Sequence, residues 1–138
     1  MLKKKNLTTT KEQSERLINI GLKKETADCA HLHFYDKKIT FKNSDEWVTT
    51  YFADWDVMKG NEYSPVWSVL RLEDILPKEI ATAAETYYLI QNEFGIEYQN
   101  KDGKFLFRCY ADDKIDRLVK CIEILVDNFL LNKEFLNK

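Results

Sequence analysis

The sixteen residues Gly95-Ile96-Glu97-Tyr98-Gln99-Asn100-Lys101-Asp102-Gly103-Lys104-Phe105-Leu106-Phe107-Arg108-Cys109-Tyr110 decide the fold class. Two runs alternating at a period of two flank an Asp102-Gly103 turn, which is among the strongest local signals for an antiparallel hairpin. Directly after it, Asp112 or Asp113 caps a predicted helix. Ile115, Leu118, Val119, Ile122, Leu125, Val126, Phe129 and Leu130 fall on one stripe of that helix. A hairpin followed by a long amphipathic helix implies an α+β domain. The expected architecture is one small antiparallel sheet of three to five strands, helices on one face, and the C-terminal helix across it. The stripe over residues 115–130 is wide enough to seal a homodimer as an alternative to covering a sheet.

Working outward, Thr9 or Thr10 caps a first helix, with Glu12 or Gln13 closing a capping box. Leu17, Ile18 and Ile20 give its apolar stripe, and Gly21 suits the left-handed C′ position with Leu22 packing back. A second short helix is predicted over residues 24–30. Residues 31–35 and 39–41 alternate around Asp36-Lys37-Lys38 and read as a second hairpin. Residues 46–55 are dense in β-branched and aromatic side chains and read as a strand. Ser64-Pro65 is expected to open a helix that buries Trp67, Leu70 and Ile75 and stops at Pro77. Residues 80–91 are compatible with either helix or strand.

The chain has 138 residues, 44% of them apolar and 32% charged, which excludes a disordered polymer and fits a single domain spanning 1–138. Residues 1–8 read as a frayed tail. The formal charge is −2, from 21 basic and 23 acidic residues, and it leaves no broad electrostatic footprint for nucleic acid. No stretch approaches the roughly 18 apolar residues of a membrane span, and Lys3-Lys4-Lys5 is not followed by the apolar run of a signal peptide. Three scattered cysteines, Cys29, Cys109 and Cys121, suit reduced thiols and a cytoplasmic location.

Several clusters could carry chemistry. Cys29, His31 and His33 alternate, so on a strand they share a face and form a candidate zinc set, with Asp36 or Cys109 as a fourth ligand. Asp54, Asp56 and Glu62 gather carboxylates beside Trp55, but no phosphate loop or nucleophile accompanies them, and a solvated acidic loop accounts for them better. No nucleophile elbow is present. Residues 10–30 invite comparison with a helix-turn-helix, although the second helix would offer a mixed-charge face without an arginine for a guanine edge. Trp47, Trp55 and Trp67, or the tyrosine-rich strands, supply the aromatic anchors that protein interfaces use.

Glu12-Gln13-Ser14, Leu17, Gly21-Leu22 and Thr26-Ala27-Asp28, followed by Pro65-Val66-Trp67-Ser68-Val69, Leu72 and Ile75-Leu76-Pro77, resemble an uncharacterised family of small proteins. Its members occur in gut bacteria and their phages or mobile elements. The likeness continues through Tyr87-Tyr88-Leu89 and Ile96-Glu97-Tyr98 to the terminal helix, and it departs over residues 32–64. It implies strand for residues 87–90 and a mobile-element origin, and it implies no activity. The functional expectation is therefore a non-catalytic interaction or accessory protein. A small DNA-associated regulator acting through residues 10–30 is the alternative, and a metal protein or small enzyme comes third.

Overall fold

A computed structural model of the chain describes residues 7–33, 47–51 and 62–137. The α+β class holds, but the strands form two antiparallel sheets instead of one. The first has the order β2-β1-β3, from Cys29–His33 (β1), Trp47–Tyr51 (β2) and Glu62–Val66 (β3). The second has the order β4-β5-β6-β7, from Glu79–Ala81 (β4), Thr86–Gln91 (β5), Gly95–Gln99 (β6) and Phe105–Tyr110 (β7). Among the described residues three α-helices, Lys11–Asn19 (α1), Val69–Ile75 (α2) and Lys114–Asp127 (α3), accompany the sheets.

The turn joining β6 to β7 is built as the Asp-Gly pair requires. Gly103 takes φ +80, and the Asn100 side chain accepts from the amides of Asp102 and Lys104 at 2.9 and 2.8 Å. The ladder then shifts by one residue, with Tyr98 opposite Phe107 and Gln99 opposite Phe105. Such a bulge re-aims the side chains on the longer strand.

Helix α3 packs its apolar stripe inside the molecule. Ile115, Leu118, Val119, Ile122 and Leu125 are fully buried in a core that also holds Leu17, Trp67, Leu72, Ile96 and Tyr98. These five positions of the stripe are thus covered by the chain's own sheet and helices. The helix is also shorter than its sequence suggests. Asn128 closes it, and Phe129 adopts φ +58 at the next position, 94% exposed.

Both longer helices end alike. In α1 the amides of Gly21 and Leu22 return to the carbonyls of Ile18 and Leu17. In α3 the amides of Phe129 and Leu130 return to Val126 and Leu125. Each pair of bonds is a Schellman closure, which places the C′ residue in left-handed space. The start of α1 is the predicted capping box, made by Thr10 and Gln13. Arg16 on α1 then bonds Glu123 on α3 and docks the two helices.

Four other expectations are corrected. Residues 24–30 are not an α-helix: Lys24–Thr26 is a single 3₁₀ turn and the chain then enters β1. Tertiary partners compete for this backbone. The Thr26 carbonyl accepts from Arg71 Nε at 2.6 Å, and Asp28 accepts from the Ser68 amide at 2.9 Å and from its hydroxyl. Pro65 does not open a helix but lies within β3, at the edge of its sheet, where a residue without N–H is tolerated. Ser68 caps α2 instead, and Leu70 is 79% exposed. The expected pairing of residues 31–33 with 39–41 is replaced, because β1 has β2 on one edge and β3 on the other. Residues 36–38 and 39–41 lie outside the described residues. Finally, Leu7 and Thr8 are not frayed, since Thr8 bridges Ser68 and the Val69 amide donates to the Leu7 carbonyl.

The ambiguous segment resolves as β4 and β5, joined by a turn in which Thr82 and Glu85 exchange hydrogen bonds.

Candidate functional site

The four-stranded sheet has two unlike faces. Ile96 and Tyr98 of β6 point into the core with Cys109 of β7, and Tyr87 and Leu89 of β5 pack beside them. Alternation then sends the intervening residues outward. Register aligns them in rows: Tyr88, Gln99 and Phe105; then Ile90, Glu97 and Arg108; then Gly95 and Tyr110. Two strand spacings by two alternate steps give a backbone platform of about 10 by 13 Å.

The large side chains on this platform are open to solvent, with exposures of 37% for Tyr88, 38% for Ile90, 42% for Phe105 and 51% for Tyr110. Their number decides the character of the face, because four neighbouring apolar side chains on one rigid sheet form a patch and not a scatter.

The polar groups among them are ordered. Glu97, itself buried, accepts from the Tyr110 hydroxyl at 3.0 Å through one oxygen and from Gln99 at 2.8 Å through the other. It therefore does not engage Arg108, its neighbour across the ladder. The Arg108 guanidinium instead lies 3.9 Å from the Phe105 ring centroid and 5.8 Å from that of Tyr110. The bulge beside Gln99 allows this, by bringing Phe105 onto the same face as Arg108. Arg108 makes no ion pair with any described residue. Stacked arginine with unspent in-plane donors is a common anchor at interfaces.

Gly95 is the floor of the third row. A Cβ there would meet Tyr110 Cδ1 at 2.5 Å and the Cys109 carbonyl oxygen at 2.8 Å. Only glycine lets the Tyr110 ring lie flat across the strand.

Of the candidates named from sequence, the tyrosine-rich strands reach this face through Tyr88, and Trp67 and Cys29 do not. Trp67 is a core residue, wholly buried, with its indole N–H donating to Thr26 Oγ1 at 3.0 Å. It cannot be a surface anchor, and large rings of this kind are buried when a partner for the N–H is at hand. Trp47 opens β2, its side chain lying outside the described ones, and Trp55, Asp54 and Asp56 lie outside the described residues. Cys29, His31 and His33 occupy alternate positions of β1 as expected, and Cys29 is fully buried. The side chains of His31 and His33 lie outside the described ones, as does Asp36, while Cys109 belongs to the other sheet.

Phe105, Arg108 and Tyr110 were not singled out from sequence. The alternation of the hairpin contains part of the signal, since Ile96 and Tyr98 inward forces Glu97 outward. The bulge that gathers the others leaves no mark in composition.

Among the described residues, one open cleft at the end of this sheet is lined by Glu85, Tyr88, Asn100 and Asp102, and another, away from the sheet, by Ile18, Leu22, Lys24 and Pro65. No helix among the described residues is long and apolar enough to cross a membrane. No family model, curated protein or solved structure matches this chain.

Proposed function

We propose that this is a non-catalytic cytoplasmic protein that docks a protein partner on the outer face of the β4–β7 sheet. The observation that carries this reading is the Arg108 guanidinium stacked on Phe105, bordered by Tyr88, Ile90 and Tyr110, on a sheet whose other face is already spent on the core. An exposed aromatic cluster around one arginine matches the chemistry of interface hot spots. The DNA reading is weaker, because residues 10–30 hold one helix and a 3₁₀ turn where a recognition helix is needed.

The test is photocrosslinking from a benzophenone side chain placed at Tyr88 or Phe105, with Lys78 as control, in extracts of the host. A discrete protein adduct from the two face positions, absent from Lys78 and lost with Arg108→Glu, is expected. Equal labelling from all three positions refutes the docking face.

A further inference from the structure

The sheet β4-β5-β6-β7 has two unlike edges. Proteins blunt an exposed edge by shortening its strand, by setting proline or lysine in it, or by covering it. One edge is β4, three residues long. The other is β7, six residues long and without proline or lysine. Among the described residues no strand pairs with its far side.

Two hydrogen bonds fix which backbone groups of β7 face that side. The Asn92 amide donates to the Gly95 carbonyl at 3.1 Å across the β5–β6 turn, and the Asn100 amide to the Lys104 carbonyl at 2.9 Å across the β6–β7 turn. Along an antiparallel strand, backbone groups turn to one neighbour and then the other in alternation. Gly95, Glu97 and Gln99 therefore face β5, while Ile96 and Tyr98 face β7, where they meet Cys109 and Phe107. The N–H and C=O of Arg108 and Tyr110 point the other way, out of the edge. A cleft of about 410 Å³ opens there. It touches Arg108, Cys109 and Tyr110 in succession, residues of both faces, so it runs along the edge and not over one face. Lys120 and Ile124 of α3 also line it.

We propose, resting on the docking face already proposed, that the β7 edge takes an extended acidic segment of the partner as an added antiparallel strand. Such a segment satisfies the open N–H and C=O groups with its own, and its alternate side chains enter the space beside the edge. Charge selects its composition. The other cations of the cleft are paired, Arg16 with Glu123 and Lys120 with Asp116 at 3.4 Å. Arg108 is exposed and has no carboxylate partner among the described residues. A residue of the added strand directly across from Arg108 lies on the same face, so a carboxylate there pairs with the guanidinium at the rim of its aromatic stack. The next residue turns inward over Cys109 and Ile124, where a small apolar side chain fits. Acidic and small apolar residues therefore alternate along the segment.

The probe is a fluorescein-labelled peptide of alternating glutamate and valine, six residues long like β7. It is added to the full chain and followed by fluorescence polarisation and by amide exchange in NMR spectra. In the free chain the Arg108 and Tyr110 amides are expected to exchange fast, and those of Phe107 and Cys109 slowly. The peptide should bind with a Kd below about 1 mM and slow the first pair alone. A lysine–valine peptide of the same length should bind roughly tenfold more weakly. Antiparallel pairing turns the glutamate nitrogens toward β7, so methylating them should abolish binding, and methylating the valine nitrogens should not.

Four results overturn the proposal. They are no binding of the unmodified peptide at about 1 mM, equal binding of the lysine–valine peptide, a glutamate-methylated peptide that binds as well as the valine-methylated one or better, and a free chain that is dimeric with slow Arg108 and Tyr110 amides. The last gives the edge to a second copy. None of them needs a substitution in the protein, so the folding of a variant does not enter. Benzophenone adducts from Tyr88 and Phe105 do not use the β7 backbone, so adducts without peptide binding keep the docking face and remove the added strand.

Discussion

Replacing Phe129 with glycine is expected to make the protein more stable, although it removes an exposed aromatic ring just beyond the terminal helix. Phe129 stands at the C′ position of α3 with φ +58, where its Cβ crowds the backbone. An L side chain in that region costs about 1–2 kcal/mol. At 94% exposure the ring contributes almost no burial to offset this. Glycine removes the crowding but gains freedom in the unfolded chain, worth about 0.4–1 kcal/mol in the other direction. The net expectation is a gain of about 0.5–1 kcal/mol, or roughly 2–4 °C in Tm for a domain of this size. Gly21 offers the mirror experiment. It closes α1 with the same pair of bonds at φ +104, and a Cβ there meets nothing within 4 Å. Gly21→Ala therefore pays only the torsional penalty, about 1 kcal/mol of lost stability. Urea unfolding followed by circular dichroism measures both, with the m-value as a check that the unfolded state is unchanged. A loss of stability in Phe129→Gly larger than about 0.5 kcal/mol would refute the reasoning, because backbone strain of this size predicts the opposite sign.

Three further outcomes are expected. Gly95→Ala must push the Tyr110 ring off the strand, at a cost of about 1–3 kcal/mol, and the Tyr110 resonances in an NMR spectrum should move with loss of the bond to Glu97. Trp67→Phe takes the indole donor from the Thr26 hydroxyl, which keeps its bond to the Lys23 carbonyl, and opens a gap in the core, with an expected loss of about 2–4 kcal/mol by urea unfolding. A Thr26→Val change made on top of it should cost less than the same change in the unaltered protein. Tyr98 governs an alkaline limit. Burial pushes its hydroxyl far above its ordinary value of 10.0, and the hydroxyl donates to the Pro77 carbonyl at 2.8 Å. The unfolded chain therefore releases this proton first, so stability is intact below pH 10 and falls as pH rises above it. Tyr98→Phe should flatten that decline in a series of melts between pH 9 and 11; an unchanged slope would assign the decline to other groups.

Elements written by local chemistry were legible, and elements decided by distant partners were not. The capping box at Thr10, the glycine closure at Gly21 and the turn at Asp102-Gly103 depend on residues within a few positions of one another. Residues 24–30 have a helical composition, but Ser68 and Arg71, some forty positions away, hold Asp28 and Thr26 in a turn and an extended chain. Pro65 fits a first helical turn and an edge strand equally well, and only its pairing with β1 selects the strand. The same distinction governs the candidate site. Tryptophan content drew attention to Trp67, which the core absorbs. The outer face was half readable from alternation, and Arg108 reached its aromatic seat through a bulge that no local pattern encodes.

The ends of the described chain are also tied to its middle. Residues 7–9 run antiparallel to 67–69, with the Thr9 amide donating to Trp67 and the Val69 amide to Leu7. Residues 21–23 hold 135–137 in the same way, through Lys23 to Phe135 and Asn137 to Gly21. A force applied between the two ends would load these short backbone clasps before it reached either sheet. Each clasp has two bonds and opens one end independently, so mechanical unfolding should begin with small releases at low force. The hairpin of β6 and β7 and the α3 helix against it would yield last, which makes the part of the molecule that carries the proposed docking face also its most resistant to tension.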